Sequence, residues 1–171
     1  FEAQYQQNPG VADGCLIDLA WFGQYDVAPP RRELLYVAQS WDPAITDGVR
    51  SDWSAGLTWG FDGEDWLLLD LMRVQERFGL LVDRVCHWHE RWRADALIIE
   101  GVSIGHALFD KVRERRLPGT LIAPTPRLSK IERVAACTAQ LEEGRFLLPA
   151  AAPWLETLRH ELLAFPDGRH D

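Results

Sequence analysis

Apolar positions along the chain follow two rhythms, alternating up to about residue 74 and then recurring every three to four residues. The first clear run is Leu34-Leu35-Tyr36-Val37-Ala38-Gln39-Ser40-Trp41-Asp42-Pro43, apolar and β-branched up to a terminal carboxylate. Proline cannot donate to a sheet ladder, so a strand over 34–42 is predicted to stop there with Asp42 at its tip. Strands over 55–61 and 66–74 flank Asp62-Gly63-Glu64-Asp65, where Asp-Gly supplies the positive φ of a tight hairpin turn. A polar loop, 43–53, with Asp47, Gly48, Arg50, Ser51 and Asp52, separates the first strand from that hairpin.

The helical rhythm then takes over. Phe78, Leu81, Val82, Val85, Trp88, His89 and Trp92 share one stripe, which predicts a helix over 76–93 lying across the sheet. A short strand, 96–99, ends on Glu100 and Gly101, and Ser103 suits the N-cap of a helix over 104–116 with Ile104, Ala107, Leu108 and Val112 inward. Pro118-Gly119 stops that helix, and 120–123 reads as another strand before Pro124 and Pro126. Ser129 caps a helix through Glu143 whose inward stripe is Ile131, Val134, Ala135, Thr138 and Leu141, closed by Gly144. A strand over 145–148 and a helix from Pro153 to about 163, with Trp154, Leu155, Leu158 and Leu162 inward, complete the order. Residues 1–33 read as an irregular lead-in: a turn at Gln6-Gln7-Asn8-Pro9-Gly10, an apolar edge strand and half-turn at 15–22, and a stiff Pro29-Pro30-Arg31-Arg32 linker. Three strands with a hairpin, followed by alternating strands and helices, predict an α/β fold. Its mixed sheet is antiparallel in the first three strands and parallel afterwards, with helices on both faces.

At 171 residues the chain is expected to be one domain with a substantial core. A net charge of −8 argues against an unaided grip on nucleic acid, where phosphate neutralisation dominates affinity. Cys15, Cys86 and Cys137 are odd in number and widely spaced, which points away from a disulfide framework and toward a reducing compartment. No apolar run approaches the roughly 20 residues a membrane helix needs. The start, Phe1-Glu2-Ala3-Gln4-Tyr5, has neither a basic region nor an initiator Met, so it is expected to be neither a signal peptide nor a natural N-terminus. Nothing matches Gly-x4-Gly-Lys-Ser/Thr, so ATP hydrolysis is not expected of these residues.

The chemistry concentrates at element ends. Asp42 and Glu100 each stand where an apolar strand gives way to a loop; if those strands are parallel neighbours, both carboxylates emerge at one sheet edge. Asp171, in the polar tail, is a third candidate. Three converging carboxylates repel unless neutralised, and divalent cations are natural neutralisers. A pair of Mg²⁺ or Mn²⁺ ions about 4 Å apart stabilises both oxygens of a phosphodiester displacement. On spacing alone, the plainer reading of Asp42-Pro43 as the start of a turn stays open. Cys86-His87-Trp88-His89 lacks Cys-x2-Cys spacing and sets its two histidines on different helix faces, so no zinc site is expected there. Cys86 and Cys137 read as helix packing residues, none of the cysteines lies at a strand-to-helix elbow, and Ser103-Ile104-Gly105 is not a Gly-x-Ser-x-Gly motif. The eight tryptophans read as core or partner-facing surface.

Four segments in order carry a family resemblance. Phe1-Glu2-Ala3-Gln4-Tyr5-Gln6-Gln7-Asn8-Pro9 resembles the segment closing the ATPase part of phage terminase large subunits. Ser40-Trp41-Asp42-Pro43-Ala44 with Ser51-Asp52-Trp53-Ser54-Ala55 resembles that family's first nuclease motif, Leu97-Ile98-Ile99-Glu100 its second, and Phe165-Pro166-Asp167-Gly168-Arg169-His170-Asp171 its third. The resemblance implies a ribonuclease H-like endonuclease that cuts concatemeric double-stranded DNA during capsid packaging. It implies a lead-in at 1–33 from an ATPase domain and a nuclease domain at 34–171. Implied partners are that ATPase domain, the small terminase subunit and the portal, in the cytoplasm of a bacterial host carrying a phage or prophage.

The same resemblance gives Asp42, Glu100 and Asp171 as ligands of two Mg²⁺ or Mn²⁺ ions, with Asp42 bridging them. His170 would orient a metal ligand or a phosphate, and Asp52 would be an auxiliary acid or an Asx-type turn residue. Lys130 and Arg133, three apart on one helical face, form either a ridge toward the DNA backbone or a solvated surface pair. The family pattern places a second aspartate after the first in its third motif, whereas this sequence stops at Asp171, so the third arm is expected to be incomplete. Two alternatives stay open: a Holliday-junction-resolvase-like nuclease of the same fold, and a non-catalytic docking module of the packaging motor.

Overall fold

The structure, a computed structural model, describes residues 16–44, 53–101 and 104–166. Among these residues seven strands form one mixed sheet: β1 (Gly23–Tyr25), β2 (Tyr36–Asp42), β3 (Ser54–Phe61), β4 (Trp66–Val74), β5 (Ala96–Ile99), β6 (Thr120–Ile122) and β7 (Phe146–Pro149). Four helices accompany them: α1 (Phe78–Trp92), α2 (Ile104–Glu114), α3 (Lys130–Glu142) and α4 (Leu155–Ala164). The spatial order is β1-β7-β4-β3-β2-β5-β6. β2–β3 and β3–β4 pair antiparallel, and the other four pairs are parallel. This is the mixed sheet expected from the sequence. Parallel neighbours need crossovers, and α1 and α2 supply them before and after β5.

The hairpin forms as its residues require. Gly63 sits at φ 111°, and the Asp62 carboxylate accepts the backbone N–H groups of Glu64 and Asp65, each at 2.8 Å. Those backbone bonds hold the Asp62 carboxyl below its usual range.

The main core lies between the sheet and α1 with α2. Its centre is an edge-to-face contact of Trp41 with Trp88, ring centroids 5.2 Å apart. Gly56 on β3 makes the room: a Cβ there would stand 2.6 Å from Trp88 Cζ3 and 2.7 Å from Trp41 Cε2. Polar struts pin α1 to the same strands. Asp70 accepts the indole N–H groups of Trp88 and Trp92 at 3.2 and 3.3 Å, and buried Gln39 donates to Thr58 Oγ1 at 3.0 Å and to the Trp88 carbonyl at 3.3 Å. Leu57, one residue beyond Gly56, points to the opposite face, where it joins Leu68, Leu148 and Leu155 under α4. Helices therefore cover both faces.

Several local expectations change. Leu19–Trp21 forms a 3-10 turn within the stretch expected to be an edge strand and half-turn, and Gly23–Tyr25, expected to be irregular, joins the sheet beside β7. Arg31, at the end of the proline-rich linker, is bound to the domain: it donates to Asp95 Oδ2 at 2.8 Å and to the carbonyls of Arg93 and Leu34, each at 3.1 Å. On α2, Ala107 is exposed and Gly105 is buried. The stripe on α3 is only partly covered among the described residues: Val134, Thr138 and Leu141 are half-buried, while Ala135 is exposed and Ile131 49% exposed. No residue of the helix is fully buried, and Cys137 is exposed rather than packed. Periodicity reports a one-sided helix, and burial further requires a partner surface. Ser103, Cys15, the 45–52 loop and residues 167–171 lie outside the described residues.

Gly56→Ala is expected to destabilise the domain by about 1–3 kcal/mol in urea unfolding, because neither indole can yield easily. Gly79→Ala on α1, where an added Cβ meets nothing within 4 Å, is expected to stabilise by roughly 0.5 kcal/mol. Equal effects of the two substitutions would remove the close approach as the reason for Gly56.

Candidate active site

β2 and β5 are adjacent and parallel, with Ser40 opposite Ile98 and Trp41 opposite Ile99. The Glu100 N–H continues the ladder by donating to the Trp41 carbonyl at 3.1 Å. Asp42 and Glu100 therefore leave the sheet side by side at its carboxyl edge, which meets the condition set by the sequence. Each follows a residue locked in the core, since Trp41 is 2% exposed and Ile99 fully buried. The backbone after Glu100 is equally constrained. Gly101 N–H donates to the Pro124 carbonyl at 2.9 Å, and a Cβ on Gly105 would run into the Glu100 carbonyl oxygen. Only glycine at 105 lets the first turn of α2 come this close to the site. The His106 ring lies over Gly101, its Cε1 3.2 Å from where a Cβ would stand.

The charges here are arranged as two negative against two positive. The Asp42 carboxyl is pushed above its ordinary range, chiefly by burial and then by the neighbouring Glu100 carboxylate, while Lys130 and Arg133 pull it back down. Asp42 is exposed by surface area, yet enough protein surrounds its carboxyl for burial to be the larger cause. Arg133 Nη2 lies 3.3 Å from Glu100 Oε1, with side chains 37% and 25% exposed. Arg133 Nε is buried without a hydrogen-bond partner. Both cations come from the first turn of α3, whose start is held by a reciprocal capping box. Glu132 N–H donates to Ser129 Oγ at 3.3 Å, and Ser129 N–H donates to Glu132 Oε2 at 2.8 Å.

Four of the seven residues singled out from the sequence are thus brought together: Asp42, Glu100, Lys130 and Arg133. Asp52, His170 and Asp171 lie outside the described residues. Among the described residues no three His, Cys, Asp or Glu side chains group closely enough to hold a metal ion. The Cys86–His89 segment splits as its helical spacing implies. Cys86 is buried in the core, His87 is exposed, and buried His89 donates through Nε2 to the Pro118 carbonyl at 2.7 Å.

One residue near this edge carried no sequence signal. Asp42 pairs with Ala55, and Ala55 pairs with Arg73, so the three stand in one row on one sheet face. Arg73 bonds Glu161 of α4 at 3.1 Å and stacks over Trp53 with its guanidinium 4.6 Å from the ring centroid. It ties the last described helix to the row that ends in Asp42. Only the register of two hairpins reveals that placement.

The chain matches a family model described as the terminase RNaseH-like domain over residues 39–170. No curated protein sequence matches it. Among solved structures it is similar to the large terminase of a thermophilic bacteriophage in complex with ADP, with 12% identity and a TM-score of 0.63 over 87% of this chain and 35% of that one. It is also similar to the large terminase nuclease of a second thermophilic phage, G20c, with 13% identity and a TM-score of 0.57 over 82% of this chain and 76% of that one. The G20c nuclease with bound zinc aligns at 14% identity and a TM-score of 0.53, over 82% of this chain and 83% of that one. The chain spans only about a third of the ADP-bound large terminase, at 35%.

Asp42 makes a pH prediction with a definite sign. A folded-state pKa above the unfolded value means that ionising Asp42 costs stability; the penalty is absent below the unfolded carboxyl's pKa and complete above the folded one. Without added metal at pH 7, Asp42→Asn should raise the melting temperature, on the order of 2 °C, and the gain should vanish in acid. A lower melting temperature at pH 7 would contradict the crowding of charge described here.

Proposed function

The chain belongs to the terminase RNaseH-like domain family, and from that premise we propose that it is a metal-dependent endonuclease cutting concatemeric double-stranded viral DNA during genome packaging. The observation that carries this reading is the placement of Asp42 and Glu100 at the ends of adjacent parallel strands, each fixed by a buried neighbour. The donor set fits a divalent cation. Both groups supply hard carboxylate oxygens, their mutual repulsion is part of what raises the Asp42 pKa, and a guanidinium already takes the role of counter-charge at Glu100. That the similar G20c nuclease is seen with bound zinc supports a divalent ion as a cofactor here.

In this reading Asp42, Glu100 and Asp171 would hold two Mg²⁺ or Mn²⁺ ions. When bound, the ions supply charge neutralisation at the scissile phosphate and a water that deprotonates near neutral pH. The chain's own part is to fix the ligands. Trp41 and Ile99 hold the two strand ends, and Gly105 lets α2 support the Glu100 backbone. Lys130 and Arg133 would meet backbone phosphate as it approaches the carboxylates, a role supported by their action on Asp42 and Glu100. His170 would orient a ligand or phosphate, with Asp52 as an auxiliary acid.

With a net charge of −8, the grip on DNA would come largely from partners. These are an ATPase domain joined through residues 1–33, the small terminase subunit and the portal. Residues 34–171 would be the nuclease, its sheet completed by the short β1 from the lead-in. The setting proposed is the cytoplasm of a bacterial host; among the described residues no helix is long and apolar enough to cross a membrane.

Plasmid nicking with Mn²⁺ tests the reading. Asp42→Asn and Glu100→Gln are each expected to slow it by at least about a hundredfold, the equivalent of roughly 3 kcal/mol in barrier. Variants as active as the parent would remove the carboxylate site from the reaction. A strong preference for branched over linear DNA would favour the junction-resolvase alternative.

A further inference from the structure

Arg133 is paired in a way that a purely structural ion pair would not favour. The shortest contact between Arg133 and Glu100 is Nη2 to Oε1 at 3.3 Å, longer than a well-formed charge-assisted bond. Its Nε is buried without a partner, so the arrangement leaves a donor unsatisfied. Lys130, three residues earlier on the same helix, acts on Asp42. Two positive charges from one helix thus face two carboxylates from the sheet.

The helix that carries them is the least anchored of the four. α1, α2 and α4 each bury at least one residue, whereas α3 buries none and is fixed at its start by its own capping box. Among the described residues displacing α3 would uncover half-buried Val134 and Leu141 but no fully buried side chain, so moving Arg133 with the helix disturbs less of the core than moving a helix with buried residues would. A divalent cation placed between Asp42 and Glu100 would meet the charges of Lys130 and Arg133 at close range, and like charges there repel.

Building on the metal-site reading above, we propose that Arg133 is a competing counter-ion for this site, which pairs with Glu100 until a divalent cation displaces it, α3 moving with it. The released guanidinium is then free to pair with a DNA phosphate. Because coupling between two ligands is reciprocal, phosphate that draws Arg133 away also favours metal entry. The nuclease site is thereby biased toward assembly when DNA is present, a bias built into one side chain on a loosely packed helix.

Calorimetric titration of the 171-residue chain with MnCl₂ alone, without DNA, tests this. Arg133→Gln and Arg133→Met, both removing the charge and the second keeping the aliphatic stem, are each expected to bind Mn²⁺ about tenfold more tightly than the parent. Arg133→Lys keeps a cation and is expected to stay within about threefold of the parent. Parent-like or weaker binding by both neutral variants, in a parent that binds Mn²⁺, overturns the competition and leaves the metal-site reading standing. Binding by the neutral variants alone supports both. Absence of binding in parent and variants alike overturns the metal-site reading and this inference with it.

Discussion

The contact of Trp41 with Trp88 over Gly56 is the constraint from which the rest of the architecture follows. It joins the last buried position of β2 to the middle of α1, and it works because β3 offers no side chain at the crossing point. Asp70 and Gln39 then fix the same helix by hydrogen bonds to Trp88, so α1 has one seat on the sheet rather than a range of them. The consequence appears one residue further along. Trp41 cannot move without disturbing the core, and Asp42 follows it directly. A rigid apolar anchor beside a charged strand tip is how a fold delivers a carboxylate to solvent in a fixed place.

At the carboxyl edge, packing gives way to charge. Asp42 and Glu100 leave the sheet side by side, and the raised Asp42 pKa reflects burial first and the neighbouring Glu100 charge second. Such an arrangement lowers stability, and proteins keep it where the strain serves binding. The compensation comes from α3 and is partial: an ion pair with Glu100 at 3.3 Å, with a buried guanidinium nitrogen left unpaired. The sheet supplies fixed negative charge and the helix supplies adjustable positive charge.

Much of the fold was legible because its strands are punctuated. Pro43 ends β2, Asp62-Gly63 forces the hairpin, and Gly101 follows Glu100, so the ends of the strands and the acids on them could be located before any pairing was known. The adjacency of β2 and β5 was only a condition in the sequence, because alternating strands and helices give a parallel region without fixing which strands are neighbours. Residues 23–25 were not legible as a strand. Three residues carry no measurable period, and their partner β7 lies far along the chain. The burial of α3 was overestimated for a different reason: its apolar stripe is present, but among the described residues it is covered only in part, at Val134, Thr138 and Leu141. Arg73 was invisible because its place beside Asp42 depends on the register of β2 with β3 and of β3 with β4 together. Lys130 and Arg133 were found as a pair on one face, but spacing along a helix does not tell what that face meets. In the structure it meets Glu100 and Asp42.

The uneven anchoring of the helices bears on how such a site can be both fixed and responsive. Ligand positions need rigidity, and here they come from the two central strands β2 and β5 whose last residues are buried. Access to those ligands needs a part that can yield at low cost, and such parts are drawn from regions with few buried apolar contacts. α3 has that property, and it is also the element carrying the counter-charges. If the cations stood on α1, any shift would have to break the Trp41–Trp88 contact and the bonds to Asp70. Placing them on α3 separates the two demands, so that the charge balance at Asp42 and Glu100 can change while the sheet beneath them does not.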